Sequence, residues 1–449
     1  MEYISIEEKL LLPVVCEADV VICGGGPGGI GAALFSAGAG AKTVLIEQYG
    51  VLGGMAAIAE VTPFMSSYYQ GEVLDGPVYG QWKEAMNKCL PPEVCERRQN
   101  RPDGYPGRGI NKEAAALAAE DLLLEAGVKI LYHHQLAGVL MENRKITAAR
   151  CHTKGGEVLI KGKCFVDSTG DGDLAAMAGC RFTIGNENGE CQPMTLCFKL
   201  SHVETGWNKD QADARVLGLR SRLNEAYIEA VRRGEVRCPR EDVLIFSFEL
   251  ADDNVVHFNT TRVVNCNPVA GMTLSEAEIE ARRQLRDIYF WLKKTIPEFR
   301  NCRLMSMGVQ IGVRESRHVE GLTRITEADF HNCSRFEDAV ARCSYSIDIH
   351  SPTGSGTVIV KIGDGGFYEI PYGALVAADC DNLLTGGRSI SADAAIHSSF
   401  RIMPTVISIG QAAGLAAALA AKREILPRDI DGRILRQQLI AAGAPLQGQ

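Results

Sequence analysis

The segment Asp19-Val-Val-Ile-Cys-Gly-Gly-Gly-Pro-Gly-Gly-Ile30 decides the fold of this chain. It joins an apolar run to a glycine-rich turn, and a second apolar run, Thr43–Ile46, ends on the acidic Glu47. This order of strand, glycine turn, helix, strand and acid is the fingerprint of a dinucleotide pocket. The sequence therefore predicts a Rossmann-like α/β domain whose first turn binds a dinucleotide.

The glycines of this turn have separate roles. Gly24 permits the tight turn, Gly26 lets the backbone approach a pyrophosphate, and Gly29 with Ala33 lets the helix lie close to the sheet. The pyrophosphate would sit at the helix N-terminus, where free N–H groups and the helix dipole favour an anion. Glu47 would accept hydrogen bonds from a ribose diol. A glycine-rich turn without a ligand is the alternative.

The composition is that of an ordinary globular protein. Of 449 residues, 46% are hydrophobic and 23% are charged, and the formal net charge is −8. This length suggests two or three domains, and the acidic balance argues against nucleic acid as the main partner. No apolar run reaches the roughly 20 residues that cross a bilayer. We therefore expect no membrane span and interpret Thr405–Ala421 as a buried core helix.

Fifteen cysteines are scattered along the chain. They form no Cys-x-x-Cys pair and no His/Cys cluster at zinc spacing, so we expect neither a metal site nor an iron–sulfur cluster. Free thiols in this number suit a reducing compartment, and the charged segment Met1–Lys9 has no apolar signal core. These features predict a cytoplasmic protein, and a homo-oligomer is one of the assembly states that the sequence allows.

The sequence pattern divides the chain into three segments. Residues 1–182 hold the first βαβ unit, a polar stretch at Glu96–Gly109 that predicts a loop, and an alternating stretch at Leu136–Phe165 that predicts a three-stranded antiparallel meander. Residues 183–370 change character and predict a second domain. Residues 371–449 return to small and apolar residues and predict the C-terminal part of the first domain.

The order of motifs resembles the FAD-dependent oxidoreductase family that is related to the flavoprotein subunits of fumarate reductase and succinate dehydrogenase. The motifs are Gly24–Gly29, Glu47–Met55, Val166–Asp173, Gly312–Arg317, Gly387–Ser391 and Gly410–Gly414. The resemblance covers nearly the whole chain. It implies a Rossmann-like FAD-binding domain, with a central parallel sheet and an antiparallel meander, and an inserted α+β substrate domain. It does not identify the substrate, because the family hosts many reactions.

The resemblance also implies FAD rather than a nicotinamide cofactor. A simple nicotinamide enzyme would usually continue its α/β alternation after Glu47, whereas this chain has the meander and a late Thr169–Asp171 turn. In some relatives a histidine near the Gly53–Gly54 pair carries the flavin covalently, but none follows here, so we expect non-covalent FAD. The helix beginning at Pro404 would direct free N–H groups at flavin N1 and O2, where reduction places negative charge. The expected cofactor-binding residues are Gly24, Gly26, Pro27, Gly28, Gly29, Glu47, Gln48, Gly53, Gly54, Met55, Thr169, Gly170, Asp171, Arg388, Thr405 and Val406.

His397 and Arg401 are the first candidates for the substrate site. Fumarate-reductase-like enzymes carry a similar His and Arg four residues apart, just before their last flavin helix, and use both to hold a substrate carboxylate. Arginine offers a bidentate fork to a carboxylate, and histidine holds or transfers a proton near neutral pH. Ser398–Phe400 differ from the relatives, which leaves a dicarboxylate substrate open. An ion pair that merely fixes the loop is the alternative.

Arg314 and Arg317 are the second candidates. They flank Glu315 at the end of an apolar run that includes Val309 and Val313, which suggests a site at a strand end. One arginine would face the flavin or the substrate, and the other would pair with Glu315. Purely structural pairing of all three charges is the alternative.

His350 is a further candidate because it follows Asp348 at strand spacing, so both side chains would point to one face. Such a pair is either a base with its orienting group or a half-buried polar pair. His257 and Arg262 form a similar but weaker case. His133 and His134, at a strand exit, are predicted to lie on the solvated surface.

Three functions stay open from the sequence. The favoured one is an FAD enzyme that transfers hydride at flavin N5 to or from a small carboxylate or polyhydroxy compound, as a dehydrogenase rather than an ene-reductase. The second is a flavin monooxygenase or halogenase, which needs NAD(P)H. The third is an FAD-carrying electron-transfer subunit of a larger complex. The sequence names neither the substrate nor the electron acceptor or donor.

Overall fold

The structure, a computed structural model, describes residues 4–5, 9–62, 64–65, 67–92, 111–204, 212–246, 254–363 and 366–447. The predicted loop at Glu96–Gly109 lies outside the described residues. The strands are β1 Val14–Cys23, β2 Thr43–Ile46, β3 Tyr68–Tyr69, β4 Glu72–Val73, β5 Lys129–Leu131, β6 Gln135–Glu142, β7 Lys145–Thr153, β8 Gly156–Asp167, β9 Phe182–Ile184, β10 Phe198–Ser201, β11 Ile245–Phe246, β12 Val256–Phe258, β13 Arg303–Met307, β14 Arg317–Val319, β15 Ala339–Cys343, β16 Ile347–His350, β17 Thr357–Val360, β18 Tyr368–Pro371 and β19 Leu383–Thr385. The helices are α1 Pro27–Gly38, α2 Pro77–Lys88, α3 Lys112–Glu125, α4 Asp173–Met177, α5 Ala212–Arg232, α6 Gly271–Thr295, α7 Glu327–His331, α8 Ala394–Phe400, α9 Met403–Arg423 and α10 Gly432–Ala441.

The largest sheet has the strand order β5-β2-β1-β8-β7-β6, and β19 pairs with β8. β5, β2, β1, β8 and β19 run parallel, whereas β6, β7 and β8 form an antiparallel meander. Cys23 pairs in register with both Ile46 and Asp167, so the carboxyl ends of the three central strands meet at one edge. The predicted Rossmann-like sheet and its meander are therefore confirmed, and β8 takes part in both.

Two helices cover one face of this sheet. α1 and α9 share a hydrophobic core with Val20 and Ile22 of β1, both of which are fully buried. The two helix backbones come close because glycine lies at their contact: a Cβ on Gly410 would stand 2.0 Å from the carbonyl oxygen of Gly28. This approach brings the N-terminus of α9 beside the glycine turn that follows β1.

A second lobe is built on an antiparallel sheet of order β11-β12-β10-β13, with α5 and α6 beside it. Its core is separate from that of the first sheet. The rings of Phe198 and Phe258 stack there with centroids 4.7 Å apart, and Trp291 of α6 is buried in the same cluster. This lobe supplies the far wall of the site described below.

The core of the second lobe includes residues from Met194 to Val313, whereas Ile325 and Tyr368 pack in the same core as α1 and α9. The reason is that β15 and its partner β18 pack against the C-terminal helices instead of the second sheet. The predicted segment 183–370 is thus divided between two hydrophobic cores.

Among the residues that the structure describes, only α9 is long and apolar enough to cross a membrane by length and composition. In the structure, however, 89% of its apolar window is buried inside the protein. Its burial between α1 and the sheet makes it a core helix, as predicted for Thr405–Ala421.

Candidate cofactor and substrate site

A cavity of about 1070 Å³ opens at the carboxyl edge of the first sheet, beside the glycine turn. Its wall combines residues of the first sheet's lobe, such as Gly26 and Thr169, with Phe246 and Asn259 of the second lobe. Cofactor pockets typically measure about 300–1,000 Å³, so this cavity has room for a large ligand. The crevice outside the carboxyl ends of the strands is where open α/β sheets bind ligands.

The glycine turn leaves room for a ligand at one position in particular. A Cβ on Gly26 would meet nothing closer than the Cα of Gly54, at 3.7 Å, while a Cβ on Gly28 would stand only 2.0 Å from the carbonyl oxygen of Gly386. Gly28 thus serves packing, and Gly26 keeps the cavity open. α1 begins at Pro27, so the N–H groups of its first turn have no partner within the helix and suit a phosphate.

Glu47 holds the turn to the end of β2. Its Oε2 accepts a hydrogen bond of 2.7 Å from the N–H of Gly25, and its Oε1 accepts one of 2.9 Å from the N–H of Tyr49. The side chain lines the cavity, and burial raises its pKa above the ordinary value. A carboxylate has about four acceptor positions, so both oxygens retain capacity for ribose hydroxyl groups.

The Thr169–Asp171 turn is held from both sides. The N–H and the hydroxyl of Thr169 donate to Asp167 Oδ1 at 3.1 and 2.7 Å. Asp171 Oδ1 accepts a hydrogen bond of 2.6 Å from the Ser316 hydroxyl and a further one from Arg388. The turn is therefore rigid where it lines the cavity, and the charge of Arg388 is compensated by Asp171.

Most of the predicted cofactor-binding residues line this cavity. They are Gly24, Gly26, Pro27, Gly28, Glu47, Gln48, Gly54, Met55, Thr169, Gly170, Asp171, Arg388 and Val406. Gly29, Gly53 and Thr405 are not among the lining residues. A Cβ on Gly29 would stand 1.8 Å from the carbonyl oxygen of Gly24, and the Thr405 hydroxyl donates to Asp75 Oδ1 at 3.4 Å, so both residues act in packing.

Sequence reasoning missed His134, which was predicted to be solvated surface. The side chain is half-buried and lines the cavity, and its Nδ1 lies 2.7 Å from the carbonyl oxygen of Tyr132. The prediction is wrong because the N–H of His134 donates to the carbonyl oxygen of Glu47, which brings this segment to the end of β2.

Elsewhere in the cavity wall, Arg314, Arg401, Asp348 and His350 come together. Arg314 donates from Nη1 to the Pro193 carbonyl oxygen and to Thr195 Oγ1, both at 2.6 Å. Arg401 donates from Nη2 to the carbonyl oxygen of Asp348 at 3.0 Å. Its buried Nη1 has no hydrogen-bond partner among the described residues.

His350 and Asp348 lie on one face of β16, as predicted, with His350 Nε2 3.5 Å from Asp348 Oδ1. The Nδ1 of His350 lies 3.0 Å from Thr357 Oγ1 on the paired strand β17. Burial and the positive Arg314 lower the pKa of His350 to about 3. The imidazole is therefore neutral at neutral pH.

The two arginines remain cations at neutral pH. Burial, together with the neighbouring Arg401 charge, lowers the pKa of Arg314 to about 9. Asp348 stays ionised, because its contact with His350 and the nearby guanidinium groups outweigh burial and lower its pKa to about 2. With two cations, one carboxylate and a neutral imidazole, this part of the wall carries one positive charge in excess.

His397 lies behind the cavity wall and is not one of its lining residues. Its ring is 1% exposed, and it packs edge-on against His318 with centroids 4.6 Å apart. The Nδ1 of His397 faces Glu315 Oε1 at 3.9 Å. The predicted clamp of His397 and Arg401 on one carboxylate is therefore corrected, because only Arg401 reaches the cavity.

Arg317 also lies away from the cavity. It donates from Nη1 to the Asp171 carbonyl oxygen at 2.8 Å and to Asp173 Oδ1 at 2.7 Å. The predicted pairing with Glu315 is wrong, since the Glu315 carboxylate contacts His318 Nε2 at 3.2 Å. Arg314 and Arg317 diverge because β14 begins at Arg317 and pairs with β9.

The weaker candidates have structural contacts. His257 is buried, and neither ring nitrogen has a hydrogen-bond partner among the described residues. Arg262 donates to the carbonyl oxygens of Ser355 and Gly356, both at 2.8 Å, and thereby holds the loop between β16 and β17. Neither side chain lines the cavity.

The sheet topology, the glycine turn and the acid at the end of β2 define a Rossmann-type dinucleotide-binding protein. The family model for FAD dependent oxidoreductases matches residues 19–439. The chain therefore belongs to the FAD-dependent oxidoreductase family, and its cofactor is FAD. The open position at Gly26, the α1 N-terminus and the acceptor capacity of Glu47 fit this cofactor.

Two solved structures resemble this chain at low sequence identity. A geranylgeranyl bacteriochlorophyll reductase-like protein of Thermoplasma acidophilum is 12% identical with a TM-score of 0.46, over 95% of this chain and 82% of that one. The flavin-dependent brominase Bmp2 is 12% identical to this chain with a TM-score of 0.47, and the match covers 95% of this chain and 83% of Bmp2. No curated protein matches the sequence.

Proposed function

We propose that the protein is an FAD-dependent dehydrogenase of a small organic substrate that carries a carboxylate. The observation that carries this proposal is the grouping of Arg314, Arg401, Asp348 and His350 in the wall of the cofactor cavity. Bound FAD supplies a hydride acceptor at N5. The residues of the chain bind the substrate, orient it and accept its proton.

Charge decides the class of ligand. One excess positive charge in a partly enclosed wall favours one anionic group, and a guanidinium fork matches a carboxylate in geometry. Arg401 lines the cavity and supplies one of the two positive charges there. Arg314 adds the second charge and is fixed by Pro193 and Thr195.

His350 is the proposed proton acceptor. It is neutral at neutral pH because burial and Arg314 lower its pKa. A bound carboxylate would compensate the Arg314 charge and so raise the basicity of His350 at the moment when the substrate is present. Asp348 orients the ring from 3.5 Å and stabilises the protonated form. Proton acceptance accompanies the departure of a hydride in a dehydrogenation.

The N-terminus of α9 supports the same chemistry. Ile402, Met403 and Val406 line the cavity, and α9 has no acidic residue in its first turn. The free N–H groups of this turn carry partial positive charge, which stabilises negative charge that develops on a ligand. The resemblance to the fumarate reductase flavoproteins agrees with a carboxylate substrate and remains a resemblance.

The test mixes the FAD-bound protein anaerobically with pairs of compounds, in which one member carries a carboxylate and the other carries the corresponding carboxamide. Sugars and cyclitols are tested alongside these pairs. We expect loss of the flavin absorbance with a carboxylate and none with its amide. Equal bleaching by both members of a pair would contradict the proposal. Bleaching by NAD(P)H with substrate oxygenation would favour the monooxygenase or halogenase alternative. Absence of any turnover with artificial acceptors would favour the electron-transfer subunit.

A further inference from the structure

The geometry points to a binding site for one divalent transition-metal ion formed by Glu315, His318 and His397. The three side chains come from the segment before β14, from β14 itself and from α8. They lie outside the set of cavity-lining residues. The inference therefore does not depend on the proposed substrate or reaction.

Distances within the cluster are close to those of a metal site. One ligand atom from each residue lies within 4.8 Å of the other two. His318 Nε2 is 3.2 Å from Glu315 Oε1, and His397 Nδ1 is 3.9 Å from the same oxygen. Ligands about 2.0–2.2 Å from a tetrahedral metal ion are about 3.4 Å apart. Metal binding would shorten the distance between His397 Nδ1 and Glu315 Oε1 by about 0.5 Å.

Burial makes the cluster unlike a solvated surface group. Glu315, His318 and His397 are 1%, 2% and 1% exposed. The Nδ1 of His397, which faces Glu315, is fully buried and has no hydrogen-bond partner among the described residues. A buried polar atom without a partner is costly and calls for an explanation. A metal ion between His397 and Glu315 would satisfy that nitrogen.

The donor set and the surrounding charges select the class of ion. Two imidazole nitrogens and one carboxylate suit Zn²⁺ or Fe²⁺, whereas Mg²⁺ and Ca²⁺ require oxygen ligands. Arg388 and Arg401 are the nearby cations, and Asp171 compensates Arg388 while Asp348 lies near Arg401. Glu315 also lies near Arg401, and its Oε2 accepts a hydrogen bond of 3.0 Å from the N–H of Gln192, which leaves Oε1 facing the two imidazole rings.

A metal here would tie the chain leaving the second lobe to α8. Arg401 lies one helical turn after His397 and lines the cavity, so an ion at this position would also fix the backbone that carries Arg401. The expected signature of such a tie is thermal stabilisation by the metal, because a ligand that binds only the folded state raises its stability.

The first experiment uses the intact holoenzyme. Metal content is measured by mass spectrometry after purification, and the protein is then treated with a chelator and titrated with Zn²⁺ or Co²⁺. We expect about one ion per chain, a rise of the melting temperature on metal addition, and cobalt ligand-field bands at wavelengths beyond the absorption of oxidised flavin. Failure of the chelator-treated protein to bind either ion would overturn the inference.

Substitutions then locate the ion. His318→Gln and Glu315→Gln should weaken Zn²⁺ binding about 100-fold or more, since they remove a ligand. The matched control is His331→Gln. His331 pairs with Glu327 at 3.3 Å, as His318 pairs with Glu315, but the His331 pair is exposed. If the His318→Gln protein fails to fold, the wild-type titration still decides whether an ion binds. Undiminished binding in a folded His318→Gln or Glu315→Gln protein would refute this location.

Discussion

Arg401 donates a hydrogen bond of 3.0 Å from Nη2 to the carbonyl oxygen of Asp348, which lies two residues before His350 on β16. This bond joins the C-terminal end of α8 to the strand that carries the proposed proton acceptor. Together with the hydrogen bond from Nε to the carbonyl oxygen of Ser398 at 3.3 Å, it fixes the guanidinium at the cavity wall.

We expect Arg401→Met to weaken substrate binding and to leave FAD content unchanged. Truncating one partner of a buried charge pair costs about 2–5 kcal/mol, which corresponds to a rise in KM of about 30-fold or more. Steady-state kinetics and flavin content of the purified protein measure the two effects. Arg300→Met, at an exposed arginine, is the control. An unchanged KM for the best carboxylate substrate would show that Arg401 does not bind the substrate.

The pH dependence of kcat/KM should identify His350. The base must be deprotonated in the free enzyme, and its pKa is lowered to about 3 by burial and Arg314. Activity is therefore retained in mildly acidic solution and lost only as the pH falls towards 3. Arg314→Met removes one cause of the shift, so its acid limb should move upwards towards the ordinary histidine value near 6.5. An acid limb at the same pH in both proteins would contradict this assignment.

Two glycine substitutions separate cofactor binding from folding. Gly26→Ala adds a Cβ with nothing closer than 3.7 Å, so the protein should fold but lose FAD affinity by about 1–3 kcal/mol. Gly28→Ala adds a Cβ 2.0 Å from the Gly386 carbonyl oxygen and should lower the melting temperature of the apoprotein. Flavin fluorescence titration and thermal unfolding measure the two effects. Unaltered FAD affinity in the Gly26→Ala protein would mean that the pyrophosphate lies elsewhere.

Asp75 should make stability depend on pH. Burial raises its pKa to about 7, so the folded state holds a proton that the unfolded state releases near pH 4. The contribution of Asp75 to the free energy of unfolding is therefore fully present at acidic pH and falls as the pH rises to about 7. At about 1.4 kcal/mol per pKa unit, the loss is on the order of 4 kcal/mol.

Asp75→Asn should therefore flatten the dependence of the unfolding free energy on pH between about 4 and 7. Denaturant unfolding at several pH values measures this slope. Asp121→Asn, at an exposed aspartate, should keep the wild-type slope. The same slope in all three proteins would show that another group is responsible.

The local sequence predicted the cofactor half of the site. Strand, glycine turn and acid occupy one continuous segment of about 30 residues. The spacing of Gly24, Gly26 and Glu47 follows from the backbone geometry of a dinucleotide-binding turn. Of the thirteen predicted cofactor-binding residues that line the cavity, Gly24, Gly26, Pro27, Gly28 and Glu47 lie in this segment, whereas the other eight were implied by the family resemblance. His350 and Asp348 were also found from strand periodicity, since both neighbours lie on one strand.

Only the tertiary structure decided how the distant charges pair. Arg314 and Arg317 look equivalent in the sequence, yet one lines the cavity and the other binds Asp173, because β14 begins at Arg317 and pairs with β9. His397 was expected beside Arg401 in the cavity and is instead buried against His318 and Glu315. Periodicity and spacing predict contacts within one element. The contacts of Arg317 and His397 depend on how separate elements pack, and no local sequence pattern encodes that packing.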